Sequence, residues 1–163
     1  MAFSVSFNRN PVGNELVVTS TFDAPLKTIW DAFTDAKILD KWWAPEPYKA
    51  VTKAMEFTVQ GRWFYYMLSP QGEKQWCIVD FLKIEPMKYF EAWDTFSDEH
   101  GNLKTDMPRG KWRNSFSEEN GVATVVNILS GETLSDLKKL IEMGFEEGYK
   151  TGLTQLNKLI NPV

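Results

Sequence analysis

The chain has 163 residues, the usual size of one folded domain, and its 22 acidic and 18 basic residues give a net charge of −4. This charge argues against a protein that coats nucleic acid or binds anionic membranes. One cysteine, Cys77, and one histidine, His100, exclude an intrachain disulfide and any site that needs several thiolates or imidazoles. We predict neither a metal nor a cofactor. No secretory signal and no apolar run of ~18–20 residues is visible, so we expect a cytoplasmic protein.

The first predicted elements are a strand and two short helices. Residues 14–23 alternate in polarity and are rich in β-branched side chains, which predicts a strand. Pro25 suits a first helical turn, and the apolar residues that follow at helical spacing predict a helix over 25–34. Asp35 can cap a second short helix, which ends before Pro45.

Hairpins are predicted throughout the middle of the chain. The turns at 69–73 and 118–121 have hairpin composition, and consecutive hairpins form an antiparallel sheet. Residues 97–110 are charged and contain glycine and proline, so we expect an exposed loop. The strand over 62–68 is apolar on both faces, which predicts a central or doubly covered position. The predicted strands cover residues 50–59, 62–68, 74–84, 89–96, 111–117 and 122–129.

The last 30 residues are predicted to be helical. Thr133 and Asp136 have the spacing of a capping box, and apolar residues then recur at helical spacing, with Gly144 dividing a short helix from a long one. The simplest packing is an α+β domain over residues 1–163, in which a curled antiparallel sheet of about six or seven strands wraps the last helix. Such packing leaves a wedge-shaped space between sheet and helix.

Several short motifs occur in a fixed order between about residues 14 and 160. They are Phe22-Asp23-Ala24-Pro25, Ile29-Trp30-Asp31-Ala32-Phe33-Thr34-Asp35, Lys41-Trp42-Trp43-Ala44-Pro45, Gly61-Arg62-Trp63, Glu85-Pro86, Phe96-Ser97-Asp98-Glu99-x-Gly101-Asn102 and Met143-Gly144-x-x-x-Gly148-Tyr149. In this order they resemble the START-like (SRPBCC) superfamily, most closely the branch named for the C-terminal domain of the activator of Hsp90 ATPase. The resemblance implies the helix-grip fold, with a cavity between the curved sheet and the long C-terminal helix.

Hsp90 is a partner that the resemblance implies. The eukaryotic activators carry a separate N-terminal domain, whereas about 13 residues precede the first matched strand here. We therefore expect no co-chaperone effect from this domain alone. A second departure is small, because Gln60-Gly61 replaces the family's Gly-Gly pair at a turn.

Aromatic residues, at 14% of the chain with seven tryptophans, are the main functional signal. Aromatic walls with a few polar donors suit an apolar ligand, although the same rings can simply fill a core. We predict binding of a small hydrophobic molecule (a lipid, polyketide or aromatic metabolite), with Trp42 and Trp43 near the mouth and Arg62 able to reach a ligand carboxylate. The candidate ligand-binding residues are Trp30, Phe33, Trp42, Trp43, Arg62, Trp63, Tyr65, Met67, Trp76, Phe90, Trp112, Phe116, Phe145, Tyr149 and Leu153.

An enzyme resembling the superfamily's cyclases or hydrolases is the alternative prediction. It needs a polar group inside the cavity, for which Glu91, Tyr65 and Arg62 are the candidates. Glu91 and Asp94, three apart on one strand, point to opposite faces and cannot form a dyad. Cys77 is expected to be a core thiol, and no catalytic residue is assigned.

Three glycines recur at four-residue spacing in the last helix, at positions 144, 148 and 152. They serve either close packing against the sheet or room for a ligand, and both interpretations stay open. The expected partner is a small apolar molecule rather than nucleic acid or a membrane, and the sequence leaves a homodimer open.

Overall fold

A computed structural model describes residues 3–10 and 14–162 of the chain. This part forms one antiparallel sheet of eight strands in the order β1-β2-β8-β7-β6-β5-β4-β3, together with four helices. None of these helices is long and apolar enough to cross a membrane. The strands are β1 (Ser4–Asn10), β2 (Glu15–Phe22), β3 (Lys49–Met55), β4 (Arg62–Leu68), β5 (Lys74–Glu85), β6 (Tyr89–Phe96), β7 (Gly110–Glu119) and β8 (Val122–Gly131). The helices are α1 (Leu26–Thr34), α2 (Ala36–Trp42), α3 (Leu134–Glu142) and α4 (Phe145–Ile160).

The sheet has an inner face, which the helices cover, and an outer face. Alternation along each strand decides the face, and directly paired residues of neighbouring strands share it. Trp112 on β7 pairs with Leu129 on β8, and both are buried on the inner face. The α4 rings of Phe145 and Tyr149 lie 5.3 and 5.4 Å from the Trp112 ring, centroid to centroid. The last helix therefore packs on the inner face, as the α+β helix-grip prediction requires.

The predicted helix boundaries have identifiable chemical causes. Asp35 ends α1 and caps α2, where its carboxylate accepts the Lys37 N–H at 2.9 Å. The Thr133 hydroxyl accepts the Asp136 N–H at 3.1 Å at the start of α3. Gly144, at φ +89°, occupies the left-handed region between α3 and α4, which a residue with a side chain adopts only with strain. The division of the C-terminal segment at this glycine is confirmed.

The strand count of six or seven was too low because β1 was not predicted. This strand is polar along most of its length and pairs along the edge of the sheet with β2, from Ser4 opposite Thr21 to Asn10 opposite Glu15. Phe3, Val5 and Phe7 are half-buried against the core and alternate with the exposed Ser4 and Ser6, so a short apolar alternation was present in the sequence. This alternation spans only three apolar residues, and the pairing with β2 extends the strand beyond it to Asn10.

Two further strand predictions need correction. β3 ends at Met55 rather than at residue 59, after an irregularity in its pairing with β4 between Thr52 and Ala54. β4 is not central, because it lies second from the edge of the sheet. Its outer-face side chains, including Phe64 and Tyr66, are half-buried among neighbouring side chains rather than covered by a second layer. Lys53 and Lys74 lie over these two rings, respectively.

The two inner glycines of α4 have different surroundings, and the close approach that Gly152 makes is to the end of α2 rather than to the sheet, as one interpretation had expected. A Cβ built at Gly152 would lie 3.3 Å from the Trp42 carbonyl oxygen and 3.4 Å from that of Trp43. One built at Gly148 would meet only the Pro45 ring, at 3.7 Å. Gly152 therefore permits close backbone packing, whereas Gly148 leaves open space.

We expect Gly148→Ala to raise the free energy of unfolding by about 0.5–1 kcal/mol, because alanine is the better helix former and its methyl group fits. Gly152→Ala should gain nothing or lose stability, since its Cβ presses on two backbone carbonyls. Urea unfolding of both variants measures the difference. Equal changes at the two positions would contradict this assignment.

Candidate functional site

A cavity of about 240 Å³ lies between the inner face of the sheet and the α3–α4 region. Its sheet side includes Tyr65, Met67 and Trp112, and its helix side includes Phe145 and Tyr149. No Lys, Arg or His of residues 3–10 and 14–162 lines it. The cavity is therefore mostly apolar and aromatic, with few polar groups that could orient a bound molecule.

The opening of the cavity is marked by the lining residues that reach the surface. Gln75, at the start of β5, is exposed, and Met143, at the end of α3, has 52% of its surface exposed. Trp43, which follows α2, is half-buried and lines the cavity from a third side. Of the two tryptophans expected near the mouth, only Trp43 faces this space.

A smaller cavity of about 30 Å³ adjoins the first, on the side of α1. Phe33, Trp63, Phe90 and Asn114 are among its lining residues. It is large enough for a water molecule. The two cavities share part of their wall, which consists of Trp43, Asp94, Trp112 and Tyr149.

Asp94 lines both cavities from the inner face of β6. No Lys, Arg or His in the described ranges forms an ion pair with it. Burial raises the pKa of the Asp94 carboxyl to about 7, although the Trp112 indole N–H partly offsets this increase. Near neutral pH the carboxyl is therefore present in both its charged and its neutral form.

Hydrogen bonds fix the polar ends of the cavity's rings. The Trp43 Nε1–H donates to the Tyr65 hydroxyl at 2.9 Å. The Tyr149 hydroxyl donates to Asn127 Oδ1 at 2.7 Å, and Asn127 Nδ2 donates to Asn114 Oδ1 at 2.6 Å. The two asparagines are direct cross-strand partners on β7 and β8. Burial raises the pKa of both tyrosines above the usual value, so both hydroxyls keep their protons at neutral pH.

The structure brings nine of the predicted site residues to the two cavities. They are Phe33, Trp43, Trp63, Tyr65, Met67, Phe90, Trp112, Phe145 and Tyr149.

Four other predicted residues belong to the packed core instead of the cavity walls. Trp42 is 1% exposed, and its Nε1–H donates to the Ala32 carbonyl oxygen at 2.9 Å, so it does not lie at the mouth. Leu153 is fully buried on the packed side of α4. Trp30 and Phe116 contact each other with their ring centroids 5.0 Å apart. These four residues support the site from behind without lining it.

Arg62 and Trp76 lie on the outer face, so their assignment to the site is corrected. Arg62 pairs across β4 and β5 with Asp80, and its Nε lies 2.6 Å from the carboxylate. Trp76 packs against Phe64 and Tyr66, with ring centroids 4.9 and 4.6 Å apart. Both side chains point to the opposite face of the sheet from Trp63 and Tyr65 of β4, which line the cavities. Neither can reach the cavity while the sheet register holds.

Only one of the three polar groups named for an enzyme faces the cavity, and it is Tyr65. Glu91 lies on the outer face, where Lys83 and Lys111 approach it to 4.0 and 3.9 Å. Asp94 is not among the residues predicted for the site, because its only sequence-based role was as a possible partner of Glu91. Asp94 follows the buried Phe90 and Ala92 by four and two residues, so all three side chains lie on the inner face of β6.

Cys77 is buried, as expected, but it also lines the larger cavity beside Tyr65. Burial and the nearby Asp94 raise the pKa of the thiol, so it stays protonated and weakly nucleophilic at neutral pH. Its pairing opposite Tyr65 of β4 places it on the inner face. Its position adds a soft apolar surface to the wall.

Asp98 stabilises the turn at the start of the 97–110 loop. Its carboxylate accepts the backbone N–H groups of His100 and Asn102, both at 2.9 Å, and the Asn102 side chain at 3.0 Å. These hydrogen bonds lower the pKa of Asp98. Among the residues that the structure describes, no group of three His, Cys, Asp or Glu side chains could hold a metal ion.

Proteins of known structure share this fold over nearly the whole chain. The model of the family described as "Activator of Hsp90 ATPase homolog 1-like protein" matches residues 23–161. Protein Ms6760 from Mycobacterium smegmatis is 25% identical, with a TM-score of 0.89 over 98% of this chain and 99% of that one. A protein from Arthrobacter aurescens is 27% identical, with a TM-score of 0.90 and coverages of 97% and 92%. One from Staphylococcus epidermidis is 29% identical, with a TM-score of 0.83 and coverages of 96% and 93%. The sequence has no significant match among curated proteins.

Proposed function

Because the chain belongs to the Activator of Hsp90 ATPase homolog 1-like family, we propose that it uses the cavity between sheet and C-terminal helix to bind a small, largely apolar molecule. The cavity of about 240 Å³ is the observation that carries the proposal. A wall of aromatic and aliphatic side chains favours an apolar guest, since burying its surface removes it from water at about 25 cal/mol per Å². No catalytic step is part of this function.

The size of the cavity favours one of the three ligand classes that the sequence suggests. A cavity of about 150 Å³ can hold a benzene molecule. A space of about 240 Å³ suits a molecule of one or two fused rings, and it is too small for the acyl chains of a membrane lipid. We therefore favour a small aromatic metabolite over a lipid or an extended polyketide.

The hydrogen-bonded rings support the same proposal. Trp43 is tied to Tyr65, and Tyr149 is tied to the buried Asn127. Side chains that are already ordered lose little conformational freedom when a ligand enters, which favours binding. The wall that would hold the ligand is thus organised before binding.

Filling the cavity should abolish binding of an aromatic probe. We expect isothermal titration calorimetry to detect 2-naphthylmethanol binding to the wild type at a 1:1 ratio. Gly148→Phe should weaken this binding at least tenfold, because position 148 lines the cavity and has open space beside it. Its ring would occupy the volume that the probe needs.

The matched control places the same ring on the exposed side of the same helix. Lys150 is exposed and lines neither cavity, so Lys150→Phe should leave the affinity within about threefold of the wild type. Arg62→Ala, on the outer face of the sheet, should do the same. Absence of binding to the wild type, or equal weakening by Gly148→Phe and Lys150→Phe, would overturn the proposed function.

A further inference from the structure

The larger cavity contains an acidic side chain with no countercharge. Asp94 lines it, and no basic side chain of residues 3–10 and 14–162 does so. No basic residue of these ranges forms an ion pair with the Asp94 carboxylate. A carboxylate removed from water is unstable unless a proton or a cation compensates it. The protein supplies no such cation, so a ligand can.

The rings around Asp94 suit the same kind of guest. Trp43, Trp112 and Tyr149 line both cavities together with Asp94, and Tyr65 lines the larger one. Aromatic rings attract organic cations through their negative faces, and tryptophan does so most strongly. A carboxylate beside several such rings offers a positively charged group both an ion pair and aromatic contacts.

We propose that the cavity selects small organic ammonium ions, in which a ring-sized apolar body carries one protonated amine. The apolar body occupies the aromatic part of the cavity, and the N–H groups donate to the Asp94 carboxylate. This assignment of a ligand class rests on the proposed binding function of the same cavity. Neutral and anionic molecules of equal size lose the ion pair, and anions are repelled.

The other titratable groups that line the cavity with Asp94 stay uncharged between pH 5 and 8. Tyr65 on β4, Cys77 on β5 and Tyr149 on α4 face the cavity, and burial raises the pKa of each. On β7, Asp94 pairs with Gly110, which has no side chain. Lys104, in the 97–110 loop, lies near Cys77 and partly offsets the increase in the pKa of its thiol. A change in amine affinity over this pH range therefore reports on Asp94.

Three probes of nearly equal size test the charge preference. 2-Naphthylmethylamine is a cation, 2-naphthylmethanol is neutral and 2-naphthoate is an anion in this pH range. At pH 8 we expect the amine to bind at least tenfold more tightly than the alcohol, and naphthoate to bind most weakly. At pH 5.5 the amine should bind up to about 30-fold more weakly than at pH 8, because the carboxyl, whose pKa is about 7, is then mostly protonated. Calorimetry measures all three affinities.

Asp94→Asn retains the shape of the side chain and removes its charge. In this variant the amine and the alcohol should bind within about threefold of each other, and the pH dependence of the amine should disappear. A circular dichroism spectrum identical to that of the wild type would confirm that the variant folds. A second variant, Asp94→Ser, should remove the preference in the same way.

The outcomes separate this inference from the proposed function. If the alcohol binds and the amine binds no more tightly, the charge preference is wrong and the cavity function stands. If naphthoate binds most tightly, Asp94 acts as a neutral hydrogen-bond donor and the inference is overturned. If none of the three probes binds, both the inference and the proposed function fail.

Discussion

Replacing Trp42 with alanine should lower the free energy of unfolding by about 3–5 kcal/mol, the range for removal of a fully buried large aromatic residue. Trp42 is 1% exposed and contacts the rings of Phe33 and Trp43, at centroid distances of 4.9 and 5.4 Å. Its removal leaves a cavity and also deprives the Ala32 carbonyl oxygen of its indole donor. Because the free energy of unfolding of a small domain is only about 5–15 kcal/mol, this one substitution removes a large part of the stability.

Trp42→Phe separates the two contributions to this loss. It retains most of the ring volume and removes the indole N–H, so we expect a smaller decrease, of about 1–2 kcal/mol. Urea denaturation followed by circular dichroism measures both variants, and the slope of each transition should match that of the wild type.

Trp76→Ala is the matched control because it removes the same residue type from the outer face. Trp76 is half-buried, and its ring contacts Phe64 and Tyr66 of its own sheet, so its loss should cost about 1 kcal/mol. A larger loss at Trp76 than at Trp42 would contradict the assignment of the inner face as the core.

The elements that the sequence predicted well are those in which local chemistry and burial agree. β2 has strict alternation, and Leu16, Val18 and Phe22 are fully buried on one side. α1 and α2 were predicted because Asp35 separates them in the sequence and caps the second helix in the structure. In such segments one apolar face packs against one core, so the spacing of the apolar residues in the sequence directly reveals the helix or strand.

The faces of β5 could not be predicted, because both of them carry apolar side chains. Cys77 and Val79 point inward, whereas Trp76 and Ile78 point outward, and alternation alone cannot choose between the two pairs. The choice follows from the pairing of β5 with β4, in which Cys77 lies opposite Tyr65. A register between strands is a long-range property, and this is why Trp76 was assigned to the site and Cys77 to the core.

The polar part of the site was missed for a related reason. Asp94 is a charged residue on a strand, and charge on a strand usually indicates the solvated face. Its position follows from Phe90 and Ala92 on the same side of β6, which outweigh the preference of a single side chain for water. A half-buried carboxylate without a cation costs stability, and a binding function is a physical reason to retain it.

Asp94→Asn should therefore stabilise the protein, and the gain should depend on pH. The folded-state pKa of about 7 lies above the ordinary value of 3.8, so the native state binds more protons than the unfolded state between these two values. The contribution of Asp94 to the free energy of unfolding must then fall as the pH rises from about 4 to 7, by up to about 1.4 kcal/mol per pH unit. Above pH 7 the loss is complete and constant.

The asparagine variant has no proton to release at this position. Its advantage over the wild type should be close to zero near pH 4 and should reach about 2–4 kcal/mol above pH 7, the lower values applying if cavity water solvates the carboxylate. Urea unfolding of both proteins at one-unit intervals from pH 4 to 8 measures this difference, from which the titration of all other groups cancels. A difference that stays constant with pH would show that Asp94 has an ordinary pKa and is solvated. An advantage that shrinks when 2-naphthylmethylamine is added would show that the cation restores what burial of the carboxylate costs, because a ligand that binds only the folded wild type adds to its stability.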